Sequence, residues 1–174
     1  MENNGEQEMK KVVQLRMLAL VTTLIAFILT SVSNETQLIL VTVQPNLPPF
    51  DVPATAKWQY ISAFIYLLIA NVVACAYAVS SLVLTMLKLA GMDVTILALD
   101  LVVAVLLFSG NGAAAAIGVV GYKGNGHLRW EKVCNVFMKF CRFNTASIAV
   151  SIIGALIFLM LAVFRALLLH KRTL

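Results

Sequence analysis

Four apolar runs, each long enough to cross a bilayer, decide what this chain can fold into. A helix of about 20 apolar residues spans the hydrocarbon core, and positions 12–32, 61–83, 95–120 and 145–168 each meet that length. In lipid every backbone amide must be bonded within the protein, which leaves helices for runs of this kind. The expected fold is an all-α membrane protein, a single four-helix transmembrane bundle over 1–174. The chain is 61% hydrophobic and 12% charged, so no separate soluble domain fits beside the spans. The first run follows an acidic, polar tail with Glu2, Glu6 and Glu8. It is longer than a signal-peptide core, has no small-residue cleavage site, and reads as an uncleaved anchor.

Orientation follows less directly. Lys10, Lys11, Arg16, Lys88, Arg165, Lys171 and Arg172 fall on the side of the termini, and Lys57, Lys123, Arg129, Lys132, Lys139 and Arg142 on the other. Seven against six barely separates the two faces by the positive-inside rule, so the first helix leads, and Lys10–Lys11 beside it favour cytoplasmic N- and C-termini. Segments 34–57 and 121–144 then become outer loops. All four prolines (Pro45, Pro48, Pro49 and Pro53) lie in the first. That composition predicts an irregular loop, ending in the interfacial anchors Trp58 and Tyr60.

Two charges interrupt the apolar runs. Arg16 lies about one turn into the first span and Asp100 between one and two turns into the third. A charge at membrane depth is costly unless it reaches the headgroups or meets a partner. The first and third spans run in the same direction, so both charges lie near one face, and an intramembrane Arg16–Asp100 ion pair is expected. Small residues mark where helices approach closely. Ala70, Ala74 and Ala78 line one face of the second span, and Ser147, Ser151 and Ala155 one face of the fourth. Gly110, Ala114 and Gly118 line the third, and are expected to carry self-association. Asn71 and Asn111 read as interhelical hydrogen-bond partners.

The segment 130–142 alternates with helical period. Trp130, Val133, Cys134, Phe137, Phe140 and Cys141 fall on one arc, and Glu131, Lys132, Asn135, Lys139 and Arg142 oppose them. An amphipathic helix on the membrane surface is the leading expectation, with Trp130, Cys134, Phe140 and Cys141 as an outer-loop motif. A Cys134–Cys141 disulfide is the competing one. Seven residues of straight helix would hold these α carbons about 10 Å apart, beyond disulfide reach. Catalytic chemistry finds no foothold. His127 and His170 have no ligand partner at metal-binding spacing, and Cys134 and Cys141 are no CxxC site. The glycine-rich 121–126 stretch follows a span and does not read as a phosphate loop. No cofactor, metal or nucleic-acid partner is expected. Asn34-Glu-Thr36 is the one glycosylation sequon, placed so close to the first span that little occupancy is expected.

These residues together resemble the plant Casparian strip membrane domain protein-like (CASP-like) family, of subfamily 1 type, related to the MARVEL tetraspan proteins. The likeness rests on Leu15-Arg16, Asp100, the runs 107–118 and 124–130, Lys132-Val-Cys-Asn-Val-Phe137 and Lys139-Phe-Cys141. It implies a four-pass plasma-membrane protein that pairs with itself and with related CASP-like proteins. It also implies a scaffold that organises a membrane domain alongside cell-wall enzymes. The first-loop signature of the Casparian-strip members is absent, with Gln44-Pro-Asn-Leu-Pro-Pro-Phe-Asp51 in its place. A small transporter or channel component using Arg16 and Asp100 is the alternative.

Overall fold

The computed structural model describes residues 2–41, 50–87, 93–127 and 130–173. Helix α1 (Glu2–Ser31) leads into strands β1 (Asn34–Val41) and β2 (Phe50–Lys57), and a 3-10 turn over Trp58–Tyr60 leads into α2 (Ser62–Met86). Helix α3 (Asp93–Lys123), a single turn α4 (Val133–Val136) and α5 (Met138–Thr173) complete the chain. Four helices are long and apolar enough to cross a membrane: Gln7–Ser31, Ser62–Met86, Val94–Lys123 and Met138–Lys171. The last begins at Met138 rather than near 145. The segment with Pro45, Pro48 and Pro49, the connection holding Lys88, and Arg129 lie outside the described residues.

The helices form a ring in which α1 packs on α2 and α5, and α3 packs on the same two. Helices α1 and α3 are therefore diagonal. Each helix buries one narrow seam with alternating steps of three and four. On α1 it runs 12, 16, 19, 23, 26, 30; on α2 it runs 64, 67, 71, 74, 78, 81. On α3 it runs 96, 100, 103, 107, 110, 114, and on α5 it runs 140, 144, 147, 151, 154, 158, 161, 165. A 3.5-residue repeat keeps one stripe facing the partners along a gently left-handed bundle. The stripe is rich in small and polar residues, with larger apolar side chains such as Leu67, Leu107 and Phe158 between them, because apolar side chains alone gain nothing by leaving lipid for protein.

Two packed layers divide the interior. Val12, Ala19, Ala74, Val103, Leu107, Phe158 and Leu161 fill the half nearer the termini. Phe64, Leu67, Ala114 and Phe140 fill the half under the hairpin, where the Phe64 and Phe140 rings meet edge to face at 5.8 Å. Between and around them run side-chain hydrogen bonds. Asn111 Nδ2 donates to Ser151 Oγ at 3.0 Å, and Ser151 Oγ donates to Asn71 Oδ1 at 3.2 Å, joining α2, α3 and α5. Thr30 and Ser147 hydroxyls meet at 2.7 Å between α1 and α5. Cys75 is free and lies 3.1 Å from the Thr23 hydroxyl.

Three expectations are corrected here. The segment 34–57 is not an irregular loop: β1 and β2 pair antiparallel with Asn34 opposite Lys57 and Leu38 opposite Pro53. A two-stranded ribbon is all edge, where a proline such as Pro53 is tolerated. The amphipathic helix over 130–142 is broken at Phe137, whose φ of −108° and ψ of 63° are not helical. That one-residue break folds α4 back on α5 and brings the Cys134 and Cys141 α carbons to 5.7 Å, where they form a disulfide. The periodicity is real in each half, and the straight line between the halves is what fails. Helix α3 itself ends on Gly124, at φ +69°, whose amide bonds Val120 O at 2.8 Å; a β carbon there would lie 2.7 Å from Trp130 O. A glycine in that left-handed position is a common helix stop.

The third correction concerns the small-residue face of α3. Ala114 is fully buried against Phe64, Leu67 and Phe140, and a β carbon on Gly110 would touch Leu67 Cα at 3.4 Å. Gly110 and Ala114 thus serve packing inside one chain and cannot meet a second copy. Gly118 alone of the three faces open space. Ala114→Leu is expected to overpack this layer and lower stability in detergent by about 1–3 kcal/mol. Gly118→Leu should leave the unfolding midpoint unchanged or raised. Equal losses at both positions would contradict the assignment.

Candidate functional site

Burial of Arg16 within an apolar wall demands acceptors, and the bundle supplies them from two other helices, Asp100 of α3 and Ser81 of α2. Arg16 and Asp100 are both fully buried. Arg16 Nη2 lies 3.1 Å from Asp100 Oδ2 and 3.4 Å from Oδ1, so the pair bridges the diagonal between α1 and α3. Helix α2 adds two groups one turn apart. Ser81 Oγ accepts from Arg16 Nη1, and Tyr77 OH lies 2.6 Å from Asp100 Oδ1 and 3.0 Å from Ile96 O. The Arg16 guanidinium also stands 5.9 Å from the Tyr77 ring centre. Helix α5 contributes Arg165, whose Nε is 3.9 Å from Asp100 Oδ2. One carboxylate thus faces two guanidinium groups and a phenol, and all four helices take part. Arg16 does not reach the headgroups. Its charge is matched inside the protein, the arrangement that low dielectric requires.

A second polar cluster closes the opposite end. The first amides and last carbonyls of any helix have no partner within it. Trp58 Nε1 donates to Ser31 O, near the end of α1, at 3.1 Å. Phe140 N–H, in the first turn of α5, donates to Glu35 Oε2 at 2.9 Å, while Gln37 Nε2 donates to Glu35 Oε1 at 2.8 Å. A carboxylate at a helix N-terminus is favoured by the helix dipole as well as by these bonds. Burial, which leaves Glu35 only 9% exposed, works against its charge. The amides of Phe140 and Lys139, the Gln37 donor and the Lys139 charge outweigh it and hold the carboxyl below the usual carboxylate range. The Cys134–Cys141 disulfide sits beside this cap. Trp130 is exposed and exchanges backbone hydrogen bonds with Asn125 at 2.9 and 3.0 Å. Asn34 is exposed at the foot of the hairpin, three residues beyond α1, and Thr36 Oγ1 meets Thr55 Oγ1 at 3.1 Å.

Residues 8–157 match the family description "Casparian strip membrane protein domain". The chain belongs to the CASP-like family. It is 50% identical to CASP-like protein 1E1 of Glycine max over 162 residues, covering 91% of this chain and 86% of that one. CASP-like protein 1E2 of Vitis vinifera is 47% identical over 91% of this chain and 83% of its own length. CASP-like protein 1E1 of Arabidopsis thaliana is 41% identical over 88% and 83%. No solved structure matches the chain.

In this CASP-like chain, Arg16, Tyr77, Ser81 and Asp100 lie inside the matched region and Arg165 beyond it. The sequence marks the two ends of the diagonal but not the side chains that complete it, Tyr77, Ser81 and Arg165. Arg165 was counted with the charges closing the chain, yet it is only 9% exposed. Its signal was available, since it continues the α5 seam of Ser147 and Ser151. Nothing in the sequence marks Glu35, because its role depends on the hairpin that the prolines disguise. Among the described residues no group of three His, Cys, Asp or Glu is placed to hold a metal.

Two outcomes follow. Asp100→Ala strands two guanidinium groups and should cost about 3–5 kcal/mol, read as lost folded, exported protein. Arg16→Ala leaves Arg165 beside the carboxylate and should be milder. Arg16→Ala added to Asp100→Ala should recover part of the loss, and equal damage in single and double variants would refute the pairing. For Glu35 the folded carboxyl titrates below its ordinary value of 4.5. Its stabilisation is therefore complete above that value and is lost as pH falls through the lower folded one. Acid melts should show the wild type weakening in that window, with Glu35→Gln less dependent on pH there.

Proposed function

We propose that the protein is a non-enzymatic scaffold of the plasma membrane that associates with itself and with related CASP-like proteins to organise a membrane domain. The observation that carries this reading is the internal closure of the charge cluster, joined to membership of a family described as a Casparian strip membrane protein domain. Asp100 is bonded by Arg16 and Tyr77 and faced by Arg165, so its charge serves helix arrangement. A link to local cell-wall modification is part of the proposal and rests on the family alone.

Orientation gains support from the disulfide. Cys134 and Cys141 are bonded, and disulfides persist on the oxidising side of a membrane. The hairpin end is then extracytoplasmic and both termini are cytoplasmic. Asn34 would share that outer face, where an endoglycosidase shift abolished by Asn34→Gln establishes both occupancy and orientation.

For assembly, the lipid-facing side of α3 offers Ser109, Gly112, Ala113 and Ala116, all exposed. A β carbon on Gly112 would meet nothing within 4 Å. Small residues in such a row let a second helix approach closely. Ala113→Leu should leave the protein at the plasma membrane, lower dimer cross-linking and speed lateral diffusion, whereas Val83→Leu on α2 should do neither. Unchanged cross-linking with Ala113→Leu removes this face. Ion or solute flux in liposomes above that of empty vesicles would instead favour a small transporter.

A further inference from the structure

We infer that the hairpin end of the bundle holds one anionic membrane phospholipid, with an acyl chain in an apolar groove and its phosphate over Lys123 and Lys132. The groove, of about 850 Å³, opens among the last turns of α3, the first turns of α5 and the start of α2. Phe64, Gly118, Phe140 and Ile148 line it, and the Cys134–Cys141 disulfide closes one side. Gly118 keeps it open, because a β carbon there would meet no neighbour. Its volume is that of a small-molecule site. Water gains too few partners between such walls to be held there. The groove lies between spanning helices at their ends, where bilayer lipid reaches it directly.

A second cavity, of about 450 Å³, continues from the first. The two share Lys123, Trp130 and Glu131, and the second adds Lys132, Asn125 and Asn135. An apolar slot passing into a polar vestibule has the outline of an amphiphile. The vestibule holds two lysines against one carboxylate, Glu131, so its charge complements an anion. A sterol carries only a hydroxyl and would leave those lysines unmatched, and an apolar helix of a second copy would do the same. Trp130, 57% exposed, stands where chain and headgroup meet, the usual depth of an interfacial indole. This inference is independent of the scaffold reading.

Full-length protein in non-ionic detergent, given phosphatidylglycerol, phosphatidylcholine or a sterol at equal mole fraction, tests it by native mass spectrometry. One phosphatidylglycerol per chain is expected, preferred over phosphatidylcholine by about fivefold. Gly118→Leu fills the slot and should lower retention by about tenfold or more. Lys123→Gln with Lys132→Gln should abolish the preference, and Val102→Phe, on the lipid-facing side of α3, should change nothing. A second measurement needs no groove variant. The chain has two tryptophans, so Trp58→Phe leaves Trp130 as sole reporter, and phosphatidylglycerol brominated along its chain should quench it more than the matching phosphatidylcholine. Absence of retained phospholipid, equal retention or quenching by the two lipids, preference for the sterol, or full retention by a folded Gly118→Leu would each overturn the inference.

Discussion

The Asp100 carboxylate is the point on which this bundle turns. Placed between helices in a medium that cannot solvate it, it must be met by donors, and those donors come from α1, α2 and α5. Meeting it fixes more than one contact. Once Arg16 faces inward, a 3.5-residue step also turns Ala19, Thr23, Ala26 and Thr30 inward and leaves Met17, Leu18, Val21 and Ile25 to lipid. The same holds on α3, where Asp100 sets Val103, Leu107, Gly110 and Ala114 on the interior seam. Apolar burial could not choose these rotations, because lipid and protein interior are equally apolar. Polar groups can, because only one rotation satisfies them.

The opposite end is held by the connection between α1 and α2. Trp58 meets a carbonyl near the end of α1, and Glu35 meets an amide in the first turn of α5. The hairpin and the 3-10 turn after it therefore tie the end of α1 to the start of α5. The disulfide adds a covalent constraint on the same rim by holding α4 against the start of α5. A bundle fixed at both ends in this way is held against internal rearrangement.

Much of this was legible in the sequence, for a particular reason. The spans and the Arg16–Asp100 diagonal follow from the cost of polar groups in lipid, a term large enough to read from single residues. What was missed depends on finer geometry. The α3 face differs from expectation because Gly110, Ala114 and Gly118 share a four-residue spacing with Gly112 and Ala116, and spacing alone does not say which row meets α2 and which meets lipid. Period 3.5 in the buried polar and small residues would have separated them, since Arg16, Asp100 and Ser147 each mark their own seam. The hairpin escaped notice because its prolines suggested a loop, although Pro53 is compatible with an outer edge. The break at Phe137 carries no proline or glycine to announce it.

The contact between α1 and α3 can be measured directly in bilayers. Solid-state NMR on protein with 15N-labelled arginine and 13C-labelled aspartate, assigned through Arg16→Lys and Asp100→Asn controls, reads the dipolar coupling between the Arg16 guanidinium nitrogens and the Asp100 carboxyl carbon. The account predicts a measurable coupling, consistent with Arg16 Nη2 at 3.1 Å from Asp100 Oδ2, lost in Asp100→Asn and reduced in Arg16→Lys to what Arg165, 3.9 Å from the same carboxylate, supplies. Absence of that coupling in folded, bilayer-embedded protein would contradict it.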